Sequence, residues 1–197
     1  VFTSERRREA ARDEILAAAW AIVRAEGFGG LAMRELGRRV GLTAGALYRY
    51  FPSKVHIYDA LFADGHRQLQ AHMTADEVPP DPEAAFRDSA HRLMAFCVAD
   101  PSRYALMFQR PIPDFVPSDE SMALARRSYQ QVLDQLAALG ITDERRIDLW
   151  AAIHMGLTSQ QVANDPGGAR WVGLVDEAVD MFFAHQRRHD KRSQEWK

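Results

Sequence analysis

The residues with the most chemistry in reach are basic and lie near the start of the chain. Arg6, Arg7, Arg8 and Arg12 crowd the first turns of a stretch, Ser4 to Glu26, in which Ala11, Ile15, Ala18 and Ile22 recur at helical spacing. The N-terminal end of a helix carries the positive pole of its dipole, so intrahelical stability does not explain cations there. A nearby phosphate backbone would explain them; a solvated charged face is the plainer account, and both stay open at this point. Net charge is −2, but residues 1–54 hold 10 Lys+Arg against 6 Asp+Glu, leaving 15 against 21 for the rest. A basic head on an acidic body concentrates attraction for a polyanion at one end. Bond-making constellations do not accompany it: the sequence has no HExxH, ExxH or GxSxG. His185 and His189 have i,i+4 spacing, but they fall in a charged tail where solvated histidines are expected. We therefore predict no catalytic residues, no metal ligands and no cofactor, and read the chain as something other than an enzyme. The single cysteine, Cys97, rules out an internal disulfide and is read as an inert core thiol.

The elements that must position the basic head come next in the chain. Met33, Leu36 and Val40 make one inward stripe, and Leu42, Leu47, Tyr50 and Phe51 make a second. Between them Gly41 suits a helix end in left-handed geometry, and Thr43 offers a side-chain oxygen to cap the next helix. The spacing predicts helices over about 31–40 and 43–50 joined by a tight turn, the arrangement of a helix-turn-helix. An ordinary helical hairpin inside an all-α core meets the same spacing. Tyr50 and Phe51 are read as core aromatics.

The wording of the second helix is more specific. TAGALYRYFPSK, with Gly45, Leu47, Tyr48, Tyr50, Phe51 and Lys54 in register, resembles the most characteristic segment of the TetR family of one-component bacterial regulators. The resemblance covers the first third of the chain well and the remainder more loosely. It implies that the Tyr48 hydroxyl and Lys54 meet phosphate, as do Thr43 and the amides beside it at a helix N-terminus. It also implies that Ala44, Gly45, Ala46 and Arg49 occupy the base-facing surface, with Arg34, Arg38 and Arg39 adding charge from the supporting helix. Ala44 and Ala46 depart from the polar residues common there, and Ala32 from the usual Ser or Thr. Arg49 is then the one long donor for base edges, suited to guanine, with alanine methyls against thymine methyls. DNA shape would carry the rest of the specificity.

The remainder reads as helical throughout, with Ser53 and Thr142 as candidate caps and three prolines breaking the pattern in ADEVPPDP. The fold class predicted is all-α, about nine helices: an N-terminal three-helix DNA-binding domain over 1–52 and a larger helical ligand-binding and dimerisation domain over 53–197. Composition is that of a soluble globular protein, at 47% hydrophobic and 26% charged residues. No apolar run approaches the roughly 20 residues of a membrane span, and no apolar signal region opens the chain. A cytoplasmic location is expected, with no membrane partner.

Two further sets of residues are predicted to bind. Phe62, Met94, Tyr104, Met107, Phe108, Phe115, Tyr129, Trp150 and His154 supply aromatic and adaptable surface with few polar atoms, the composition of a small-molecule pocket and equally that of a core. Trp150, His154 and Gly156 resemble the W-x3-H-x-G pattern of one TetR-type C-terminal domain, in which the last two helices pair with a second subunit. The final helix also carries more apolar faces than one core needs. Met155, Trp171, Leu174, Val175, Ala178 and Phe182 are the residues expected at that interface. Together these readings predict a homodimeric repressor on a palindromic operator in double-stranded DNA, released by a small, largely apolar effector. A ligand-independent DNA-binding regulator, and an α-helical enzyme with a borrowed hairpin, are the alternatives.

Overall fold

The computed structural model describes residues 2–74 and 78–195, with side chains for residues 4–74 and 78–188. Part of ADEVPPDP and the side chain of His189 therefore lie outside the described residues. Nine α-helices and no strand are present among the described residues, so the all-α expectation holds. In chain order they are α1 (Phe2–Gly30), α2 (Met33–Arg39), α3 (Ala44–Tyr50), α4 (Lys54–Met73) and α5 (Pro82–Ala99), then α6 (Pro101–Phe108), α7 (Asp119–Ala138), α8 (Glu144–Asn164) and α9 (Val175–Glu195). α1 kinks at Gly27, where the sequence places its glycines.

The chain divides into two compact units, residues 1–68 with 102–126 and residues 69–101 with 127–197. This division differs from the expected one at 52/53. Most of α4, most of α6 and the start of α7 belong with α1–α3, because they share a core with them. Ile15, Trp20, Ile22, Leu36, Leu47, Phe51, Ile57, Leu61 and Leu106 pack together there. Polar ties reinforce it: Tyr58 Oη donates to the Phe28 carbonyl at 2.7 Å. Asp59 accepts from the Ser118 amide at 2.7 Å and from the Ser118 and Ser121 hydroxyls at 2.9 Å each. The second unit is built on Phe86, Met94, Leu136, Ile141, Trp150, Val175, Val179, Phe182 and Phe183.

Local chemistry moves several helix boundaries. Asp143, not Thr142, caps α8, accepting from the Arg146 amide at 3.0 Å; its carboxylate sits nearer the free amides of the first turn than a hydroxyl one residue earlier would. Ser53 pairs with the His56 ring at 2.8 Å. The final helix, expected from Ala169, begins at Val175 after a short turn over Val172–Leu174. Buried Gln161 explains the delay. Its Oε1 accepts from the Trp171 and Val172 amides at 2.8 and 3.2 Å, and its Nε2 donates to the Gly168 carbonyl at 3.1 Å. The backbone after the Asp-Pro-Gly-Gly turn is satisfied by that side chain rather than by helix.

Candidate nucleic-acid interface

The interface is built from the α2–α3 turn. Val40 ends α2, and Gly41 follows with φ +67°, the left-handed conformation a side chain resists. Gly37, one turn earlier, lets the chain fold back: its carbonyl accepts from the Leu42 amide at 2.8 Å, and a Cβ there would stand 2.8 Å from the Leu42 oxygen. Thr43 then caps α3, accepting from the Ala46 amide at 3.2 Å. Ala32, at the equivalent place before α2, makes no side-chain cap, as its lack of a polar group requires.

Leu47 is the one fully buried residue of α3, and together with buried Phe51 it fixes the helix rotation. Thr43, Gly45, Tyr48 and Arg49 consequently face solvent, while Ala44 and Ala46 are half-buried at the shoulders of that face. Tyr48 is 47% exposed, a large aromatic phenol held in water. Lys54, half-buried at the first residue of α4, carries its ammonium 5.4 Å from the Tyr58 ring centroid.

The arginines separate by partner. Arg38 donates to both oxygens of Glu35 at 2.9 and 2.8 Å; Arg39 bridges Glu35 at 2.8 Å and Glu26 at 2.9 Å. Hydrogen bonds from Arg38 and Arg39 lower the Glu35 pKa to about 2, so this carboxylate offsets their charge at neutral pH. Arg34 and Arg49 are exposed and make no ion pair among the described residues. Among the arginines of α2 and α3 they are the two left for an external anion.

Arg12 takes neither of the two places the sequence reading left open for it, phosphate contact or solvated face. Arg6, Arg7 and Arg8 are exposed, but Arg12 turns inward: Nη1 donates to the Tyr50 carbonyl at 3.0 Å and its guanidinium lies 4.5 Å over the Phe51 ring. It holds the carbonyl end of α3, where a cation is favourable. The signal was available, since Arg12 stands three and four residues before buried Ile15 and Leu16, on the same helical stripe.

The residues expected to line a pocket do not share one unit. Phe62, Tyr104, Met107, Phe108 and Phe115 fall in the first; Met94, Tyr129, Trp150 and His154 fall in the second. Met94, Trp150 and His154 are core there. Trp150 packs against Phe86 at 4.8 Å, Phe182 at 5.3 Å and His154 at 5.6 Å between ring centroids. His154 is hydrogen-bonded through Nε2 to the Ala90 carbonyl at 2.9 Å. Tyr129 is exposed. An open cleft of about 310 Å³, lined by Asp13, Leu16, Ala17, Trp20, Arg24, Asp64 and Gln68, contains none of the expected pocket residues. Its central carboxylate, Asp64, is taken by Trp20 Nε1 at 2.8 Å and Gln68 Nε2 at 2.6 Å.

Of the six expected interface residues, Val175, Ala178 and Phe182 are corrected. All three are buried within the core of their own unit, because α9 needs that face to close on Phe86 and Trp150. Met155 and Trp171 are half-buried. Leu174 is exposed at 36%, and α8 and α9 also expose Leu149 at 40% and Met181 at 62%. Among the described residues no group of His, Cys, Asp and Glu could hold a metal ion, and no helix is long and apolar enough to cross a membrane.

Known proteins agree with this architecture. The family model of bacterial regulatory proteins of the TetR family matches residues 15–61, from mid-α1 through the helix-turn-helix into α4. The chain is 28% identical over 167 residues to the HTH-type transcriptional regulator Rv1816 of Mycobacterium tuberculosis, covering 76% of this chain and 70% of that protein. It is 27% identical over 132 residues to the HTH-type transcriptional repressor KstR of Rhodococcus jostii, covering 67% of this chain and 60% of that one. In fold it is similar to AibR, solved in complex with isovaleryl coenzyme A and operator DNA, with a TM-score of 0.61 at 15% identity over 87% of this chain and 96% of that one. Residues 15–61, which hold the helix-turn-helix anchored by Leu47, thus match the DNA-binding segment of the TetR family of bacterial regulatory proteins, and the chain over most of its length is similar to HTH-type transcriptional regulators.

Proposed function

We propose that this regulator is a cytoplasmic homodimeric repressor that binds a palindromic operator through paired α3 helices and leaves it when a small, largely apolar molecule binds. The observation that carries the reading is the outward face of α3, where Thr43, Gly45, Tyr48 and Arg49 are exposed around one buried anchor, Leu47. That face offers hydroxyls and a cation to phosphate and one long donor to a base edge. Two-fold pairing suits it, because two recognition helices then meet half-sites about one DNA turn apart. The exposed Leu149, Leu174 and Met181 of α8, the turn before α9 and α9 itself support a second copy as the partner. The names of KstR, a repressor, and of AibR, held with an acyl-coenzyme A and operator DNA, support the repressor and effector parts by analogy. An effector would act only by binding the released state more tightly than the bound one.

A second reading, a regulator that needs no ligand, draws on the filled core around Met94, Trp150 and His154. Gel-shift titration of a selected operator fragment separates the two. Tyr48→Phe and Lys54→Ala should each weaken binding across all sequences alike, and acyl-coenzyme A or apolar small molecules should release wild-type protein. Unchanged affinity in both variants would remove the phosphate roles, and operator binding unmoved by any such compound would favour the ligand-independent reading.

A further inference from the structure

On α4 the first unit buries an imidazole that nothing described around it satisfies. His66 on α4 is 3% exposed, and neither ring nitrogen has a hydrogen-bond partner. Its imidazole lies 4.7 Å from the Phe62 ring and 6.2 Å from the Phe108 ring, and Phe108 lies 5.7 Å from Tyr104. Met107 closes α6 onto α4 one residue away, its sulfur 2.8 Å from where a Cβ on Gly65 would stand. Desolvation lowers the His66 pKa to about 4, so the ring is neutral at neutral pH and holds one N–H donor and one acceptor. A buried donor and acceptor without a protein partner are costly, and a bound group that completes them offsets that cost. His154, the other buried histidine, differs in degree: its Nε2 is bonded to the Ala90 carbonyl, and its Nδ1 alone has no partner.

We propose that His66 is the polar anchor of the effector site, hydrogen-bonding the hydroxyl or carbonyl of a neutral molecule whose apolar body lies against Phe62 and Phe108. This rests on the ligand-released reading above and adds the anchor and the ligand class to it. Neutrality follows from the surroundings. The walls are aromatic and thioether, where an unpaired ion would be desolvated without compensation. Of the charged side chains on the two helices, Asp64 accepts from Trp20 and Gln68 and lies 3.9 Å from Arg67, and Arg103 donates to Gln68 at 2.7 Å. Phe108, at 38% exposure, is the ring of this group open to solvent and gives the route in.

The test uses the full chain with decanol as the neutral probe and decanoate as its charged counterpart, read by imidazole nitrogen NMR, thermal melting and gel shift. Decanol should shift the His66 ring resonances and raise the melting temperature, with decanoate bound at least tenfold more weakly. His66→Phe should melt higher than wild type without probe, since the orphaned groups are gone, yet bind decanol about tenfold more weakly. Unmoved His66 resonances at saturating decanol, equal affinity for decanoate, or equal decanol affinity in His66→Phe would overturn the anchor. The NMR result stands on wild-type protein, so a poorly folded variant does not decide the matter. Decanol that binds at His66 without moving operator affinity would uphold the anchor and refute release. A compound that releases operator without touching the His66 resonances would do the reverse.

Discussion

Helices α3 and α9 use their side chains in opposite ways. α3 is seven residues long, buries Leu47, and turns Gly45, Tyr48 and Arg49 to solvent. α9 is 21 residues long and buries Val175, Val179, Phe182 and Phe183, leaving Met181 as its large exposed apolar residue. A short helix held by one anchor, one cap and one arginine keeps its outer face free for recognition. A long helix that closes a core has its best residues committed, and what is left for a partner is the far side.

The contrast is broken or sharpened by substitution. The largest effect belongs to Phe182→Asp, which buries a charge among Phe86, Trp150 and Phe183 and should destabilise the fold by about 4 kcal/mol or more. Loss of cooperative melting is expected; a folded monomer in sedimentation would instead return Phe182 to the interface. Met181→Glu, on the exposed side, should leave the fold intact and weaken self-association, and an unchanged dimer would remove this face from the contact. Next comes Arg12→Ala. Loss of its hydrogen bond to Tyr50 and its packing on Phe51 should weaken operator binding by about 1–2 kcal/mol with no change in the salt dependence. A slope reduced by about 0.9 would mark Arg12 as a phosphate contact after all. Arg49→Ala should relax preference at one base pair per half-site, at about 1–3 kcal/mol, detectable as a flattened binding profile across operator variants.

A further effect is on stability against pH. His66 has its pKa lowered to about 4 by burial, from an ordinary 6.5, and burial also lowers that of His154. The unfolded chain therefore binds more protons than the folded one in that interval, and stability should fall as pH drops from about 6.5 toward 4. His66→Phe should flatten this loss in urea titrations, with His154 retaining part of it. Identical pH profiles for the two proteins would show that the His66 pKa is not depressed by folding.

The head was legible in the sequence because its geometry is dictated locally. Gly41 had to be left-handed, Thr43 had to cap, and Leu47 had to anchor, each within a few residues of the next. The inward turn of Arg12 was hidden by its exposed neighbours Arg6, Arg7 and Arg8, although its spacing to Ile15 and Leu16 marked it. The fate of α9 could not be read from periodicity, since an apolar stripe looks the same whether it meets its own core or another copy. The same holds for Trp150 and His154, whose aromatic and polar surface suits a pocket until Phe86, Phe182 and the Ala90 carbonyl are seen against it. His66 was invisible for a different reason. Only the packing of α6 on α4 shows that its nitrogens are buried without a protein partner.

The central claim, sequence-specific recognition by paired α3 helices, is tested most directly by selecting bound fragments from randomised duplex DNA with the purified protein at fixed salt. Enrichment of an inverted repeat with half-sites about one helical turn apart is the predicted result. Fragments without an inverted repeat, from wild-type protein whose binding is insensitive to salt, would contradict it.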